Sequence, residues 1–244
     1  MTISNNFKEI AYQALSIPNS QNSPNNYLID RAQCILHHCH IISQLPEVIR
    51  FQIDKKCLQI AALFNDTGFA KHITKNKKNA HMVITDLSNE DQRDFSAQFV
   101  NENLADFLKA PQLERVCNII LASNNRNTSL VEAMILSDAR NITDMGNIGV
   151  FNDIRKNIAH GRSVTDVTKS WTRKIEYDYW TAMLRDSFRF KAVRSTAKKR
   201  LAHASAFMEM LEQEKNASDL AALIPEQEIT TDHSDHIEYI NFTG

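Results

Sequence analysis

The chain has 244 residues, and 28 Lys and Arg against 29 Asp and Glu give a net charge of −1. That balance argues against a protein that coats nucleic acid, and 43% apolar with 23% charged residues excludes wholesale disorder. Five glycines and five prolines are few helix breakers for this length, which favours long helices over a turn-rich sandwich or barrel.

No run approaches 18 apolar residues, and the start MTISNNFKEI has no basic stretch followed by an apolar one, so a cytoplasmic protein is expected. Phe7, Ile10, Ala11, Ala14 and Leu15 form a short helical stripe ending before Pro18, and SIPNSQNSPNN reads as a polar loop. Residues 27 to 45 read as a helix with Cys34, Ile35, His38, Ile41, Ile42 and Leu45 on one stripe. Asp54 is the expected N-cap of a helix through Phe64, stopped at NDTG with Gly68 as a left-handed cap. KHITKNKKN then reads as an exposed basic connector.

Ser88 opens the next expected helix, with Phe95, Phe99 and Val100 inward, and Pro111 suits the first turn of another. Ser129 with Glu132 reads as a capping box for a helix that carries Met134, Ile135, Asp138 and Ile142 on one face and closes at Gly146. Two longer helical stretches follow, roughly 164–186 and 194–213. The expected organisation is an N-terminal helix and loop over 1–26, a core over 27–146, a helical extension over 147–215 and an acidic tail over 216–244. The fold class is all-α. Cys34, Cys39, Cys57 and Cys117 form no CxxC pair and are expected to be reduced thiols. His233 and His236 are expected in the tail, away from any site.

Three polar residues break the core pattern. His38 and Asp138 sit on apolar stripes, and an ionised carboxylate there costs several kcal/mol unless paired. A metal ion, a buried arginine or a helix N-cap would each remedy that. Asp66 stands at the C-terminal end of a core helix, where a carboxylate opposes the helix dipole. One His and two carboxylates from three helices would suit one divalent ion such as Mn, Mg, Fe, Co or Ni.

These segments resemble the HD superfamily of metal-dependent phosphohydrolases. HHCHIISQL is similar to its first histidine element, AALFNDTG (61–68) to its His-Asp signature, and EAMILSDARNITDMG (132–146) to its last aspartate element. NIILASNN resembles the segment before that last helix, and RSTAKKRLAHASAFMEMLEQE more weakly resembles the C-terminal helix of some members. The resemblance covers about residues 27–146 and implies a helical bundle holding a metal through His38 (or His37), Asn65, Asp66 and Asp138. It implies hydrolysis of a nucleotide or other phosphate ester, with Asp66 and Asn65 at the reacting centre.

The chain departs from that pattern. Asn65 replaces the signature His, Phe69 the Lys that often follows the Gly, and Arg140 the second Asp of an Asp-Ala-Asp motif. Asn124 or Asn125 stands where some members have a further His. A two-metal site is therefore not expected, and the alternative is an inactive relative that binds a nucleotide or a protein. Arg31, Lys71, Arg126 and Arg140 are the expected contacts to an anionic substrate, with Lys75, Lys77 and Lys78 on the same basic connector. A homo-oligomer is compatible with the sequence. Trp171, Tyr177, Tyr179 and Trp180 read first as packing of the extension onto the bundle, and otherwise as an exposed anchor for a partner.

Overall fold

The computed structural model describes residues 4–18, 24–25, 27–76, 89–221 and 223. The fold is all-α apart from a two-residue antiparallel pair, β1 (Ile17–Pro18) with β2 (Pro24–Asn25). No helix among the described residues is long and apolar enough to cross a membrane. His233 and His236 lie outside the described residues, as do Lys77, Lys78 and Ser88.

Helix α1 (Asn5–Leu15) buries Phe7, Ala11 and Leu15, one residue per turn, so the N-terminal segment belongs to the main core. Helix α2 (Tyr27–Ile42) buries Leu28, Ala32, Ile35, Cys39 and Ile42, whereas Cys34 and Ile41 are exposed. Its apolar residues exceed one stripe. The helices packed on α2 select the face that carries small Ala32 and Cys39, and this turns Arg31 and His38 to its flank.

Asp54 caps α3 (Lys55–Phe64) as expected, accepting the Cys57 N–H at 2.9 Å. Beyond the Asn65–Asp66 junction the chain does not become a connector but re-enters helix as α4 (Thr67–Asn76). Gly68 is inside that helix rather than a left-handed cap. It is needed for close approach, since a Cβ there would lie 2.1 Å from the Gln92 carbonyl oxygen of α5 (Asn89–Asn103). Gly68→Ala should therefore cost about 1–3 kcal/mol by forcing α4 and α5 apart, measurable as a lowered urea midpoint.

Helix α6 (Ala110–Ala122) carries Pro111 in its first turn. Helix α7 (Val131–Thr143) starts differently from the expected capping box. Leu130 is its N-cap, and Glu132 is buried, accepting the Asp54 N–H at 2.7 Å and the Arg115 guanidinium at 2.7 Å. Glu132 thus ties α7 to the start of α3 instead of capping its own helix. Gly146, at φ +82°, closes α7 and leads into a helix the sequence did not suggest, α8 (Asn147–Ala159).

The expected helix over 164–186 is two helices, α9 (Val164–Glu176) and α10 (Tyr179–Asp186), broken where Asp178 adopts φ 50°. Helix α11 (Lys191–Lys215) is followed by one short turn, α12 (Ser218–Ala221). The main apolar core joins α1–α7 and takes Phe188, Phe190, Val193 and Ala197 from the C-terminal region. A second, smaller core of Val150, Val167, Trp171, Ala204 and Met208 joins α8, α9 and α11. The principal cavity lies between these two cores.

Candidate functional site

Asn65 and Asp66 are fully buried at the tight turn from α3 into α4. The Asn65 carbonyl accepts from Ser96 Oγ at 2.7 Å and from Gln92 Nε2, while Ser96 Oγ also accepts the Gly68 N–H at 2.8 Å. Helix α5 thereby fixes the turn. Asn65 Nδ2 donates to Asp66 Oδ1 at 2.8 Å, and Asn65 Oδ1 is a buried acceptor with no partner among the described residues.

The other Asp66 oxygen is paired with Arg31 Nη1. The opposite edge of the same guanidinium holds Asp144, Nε to Oδ1 at 3.2 Å and Nη2 to Oδ2 at 2.6 Å. Side-chain exposure is 9% for Arg31, 0% for Asp66 and 41% for Asp144. Burial alone would depress the Arg31 pKa, but the Asp144 and Asp66 carboxylates more than offset it and hold the pKa well above its ordinary value. Asp144 was not singled out from the sequence. Its signal is the one that marked Asp66, a carboxylate at the C-terminal end of a core helix.

Of the expected metal ligands, Asn65 and Asp66 are in contact, and His38, Asp66 and Asp138 do not form a group placed to hold a metal ion among the described residues. Both Asp138 oxygens are taken by backbone N–H groups that lead into α11, Oδ1 by Arg189 at 2.7 Å and Oδ2 by Phe190 at 3.0 Å. Desolvation pushes the Asp138 carboxyl up to about 7, although these two hydrogen bonds oppose the shift. Among the remedies for a carboxylate in the core, Asp66 has a buried arginine, and Asp138 has the two backbone N–H groups just before α11, whose own first N–H groups are accepted by Glu47. His38 Nδ1 lies 2.8 Å from Thr143 Oγ1, and His37 is exposed. Among the described residues, no group of three or more His, Cys, Asp or Glu is placed to hold a metal ion. The donors present do not fit the divalent ion that the resemblance implied.

His38 is lowered to about 4 by desolvation and by the nearby Arg200 and His37 charges. Its folded pKa lies below the unfolded value near 6.5, so the unfolded chain takes up a proton that the folded chain refuses. Stability from this source is complete above pH ~6.5 and falls progressively toward pH ~4, by about 2–3 kcal/mol. Urea midpoints of wild type and His38→Gln at pH 7.5 and 4.5 check this: the wild type should lose more on acidification.

A cavity of about 660 Å³ opens beside the Arg31 pair. Of the expected anion contacts, Arg31, Arg126 and Arg140 line it. Lys71 does not; it pairs with Glu102 at 3.6 Å on the α4–α5 surface. Lys75 falls within α4. The far wall comes from the extension, through Lys156, Lys174, Arg189, Tyr179 and Trp180. Trp171 packs on Trp180 with ring centroids 4.9 Å apart, and Tyr179 meets Trp180 edge-on at 5.0 Å. Trp171 and Trp180 pack as expected and also wall the cavity, whereas Tyr177 is exposed and Tyr179 is about half exposed.

The cavity's charges divide into two sets. Lys174 pairs with Asp153, Arg126 with Asp186 at 3.8 Å, and Arg31 with Asp144. Arg140, Lys156 and Arg189 also line the cavity, and among the described residues none has a carboxylate within 4 Å. Nε of both Arg140 and Arg189 is buried with no hydrogen-bond partner among the described residues. Arg140 is lowered to about 10 by burial, with Asp66 opposing that shift and Arg31, Arg93 reinforcing it.

No family model matches the chain, and no curated protein matches it. Solved structures do. Bacillus subtilis YpgQ is similar with a TM-score of 0.57 at 14% identity, over 86% of this chain and 94% of that one. YpgQ in complex with ADP has a TM-score of 0.53 at 13% identity, over 85% and 97%. The Lin1889 protein from Listeria innocua has a TM-score of 0.51 at 16% identity, over 86% and 97%. At these identities the likeness is one of fold.

Proposed function

We propose that the chain binds a nucleotide or a related phosphate-bearing small molecule in the cavity between its two cores, and that it does so as a binding protein rather than as a hydrolase. The observation that carries this reading is the trio Arg140, Lys156 and Arg189, cations that line one cavity without a carboxylate partner among the described residues. A guanidinium drawn out of water without a carboxylate in contact is costly, and a bound phosphate would supply both the charge and the missing acceptors. The volume of about 660 Å³ is ample for a nucleotide, and Tyr179 and Trp180 offer apolar rings to a base. The structural neighbour bound to ADP supports the ligand class. Hydrolysis in the manner of the HD superfamily would need metal donors that this chain has committed to Arg31, to Thr143 and to the N–H groups just before α11.

Calorimetric titration of the full chain with ADP, pyrophosphate and adenosine tests the reading. ADP and pyrophosphate should bind at one site per chain, adenosine much more weakly. Arg140→Gln should weaken ADP by ~10–100-fold, the worth of one charge-assisted contact. Absence of binding by every phosphate compound would overturn it. Hydrolysis of ADP that appears on adding Mn and is lost in Asp66→Ala would return the chain to the hydrolases.

A further inference from the structure

We infer that the Arg31 guanidinium, paired with both Asp66 and Asp144, is a resident cation that supplies the counter-charge the resemblance assigned to a metal ion at Asp66, so that the cavity takes its phosphate ligand without any divalent ion. The inference about the ligand rests on the reading given above; the assignment of Arg31 does not.

Three features carry it. The first is pairing. Asp66 spends one oxygen on Arg31 and the other on the Asn65 amide, leaving neither oxygen unpartnered. The second is shape. Arg31 uses both edges of its planar fork, one on each carboxylate, bridging the α3–α4 turn to the end of α7 as a bound ion would bridge them. The third is charge. Arg140 is close enough to Arg31 for the two charges to oppose one another, so an added divalent ion would enter a centre that already holds two cations for two carboxylates. An anion meets no such penalty, because it would face Arg140, Lys156 and Arg189.

The ligand class follows from this charge pattern. Without a metal to bridge neighbouring phosphates, recognition falls to guanidinium and ammonium donors spread along the cavity. Such an array suits a diphosphate better than a single phosphate, since it offers several cations instead of one doubly charged point.

The test has a metal arm and a ligand arm, both on the full chain. In the metal arm, wild type is dialysed against Mn and against Mg, then examined by elemental analysis and thermal melting. Wild type should retain no stoichiometric metal and show no melting shift. Arg31→Ala removes the ion-pair partner of both Asp66 and Asp144, so it should melt lower and recover several degrees on adding Mn. Arg31→Lys keeps a charge between them and should remain insensitive to Mn. About one Mn per wild-type chain, lost in Asp66→Ala, would overturn the assignment. Should Arg31→Ala fail to fold, wild type and Arg31→Lys still decide the matter.

In the ligand arm, pyrophosphate is titrated with EDTA and then with Mn or Mg. Equal affinity within about twofold supports metal-free binding, and binding only with metal overturns it. Absence of pyrophosphate and ADP binding under every condition would refute the reading of the cavity, while the metal arm would still judge Arg31 by itself.

Discussion

Asp66→Ala is expected to lower stability by about 3–5 kcal/mol, the range for removing one partner of a buried ion pair. Arg31 has 9% of its side chain exposed, so it has little water to turn to when Asp66 leaves. The Asn65 amide would lose its acceptor at the same time. The same truncation at Asp144 should cost only about 1 kcal/mol. Asp144 is 41% exposed, and Arg31 would keep its buried partner. Burial, not bond count, decides between them, since Asp144 makes two of the three contacts. The double variant Arg31→Met/Asp66→Leu should recover much of the loss, because it removes both charges together. Urea denaturation of wild type, Arg31→Met, Asp66→Leu and the double variant measures this coupling. A near-additive double variant would mean that the pair contributes no interaction of its own.

The helical class was legible because two separate signals agreed: few breakers, and apolar residues at helical spacing. Register was less legible. Helix α2 carries more apolar residues than one stripe holds, and only its packing partners select Leu28, Ala32, Ile35, Cys39 and Ile42 over Cys34 and Ile41. Helix α4 was hidden for a different reason. NDTG carries strong turn residues, yet Gly68 is used for its missing side chain against α5 and not for a left-handed bend.

The site was half legible, on physical grounds. Burial cost marked Asp138 as a carboxylate that needs a partner, and opposition to the helix dipole marked Asp66. Neither signal says which partner, and the choice depends on residues far away in the chain. Arg31 reaches Asp66 across 35 positions and Asp144 across 113, while Asp138 meets the residues just before α11, 51 and 52 positions later. The aromatic and cationic far wall was missed for a related reason. Trp171 and Trp180 do pack on one another as core residues would, and nothing in their spacing shows that a cavity lies beside them.

Arg140→Met should separate stability from binding. Burial holds the Arg140 guanidinium at about 10, still charged at neutral pH, so the ligand-free protein carries an ion it does not fully compensate. A methionine keeps much of the apolar stem and removes the charge. The ligand-free variant should gain about 1–2 kcal/mol, or roughly 3–6 °C in melting temperature for a chain of this size. It should also lose the ADP-induced melting shift expected of wild type. Gln92, which accepts from Arg140 at 3.2 Å, keeps its own bond to the Asn65 carbonyl, so the α3–α4 turn stays fixed. A residue retained for packing would show the opposite pattern, with lower stability and unchanged ADP binding. A gain in stability coupled to a loss of ligand would mark Arg140 as a group whose cost is borne by the free protein and offset when phosphate binds.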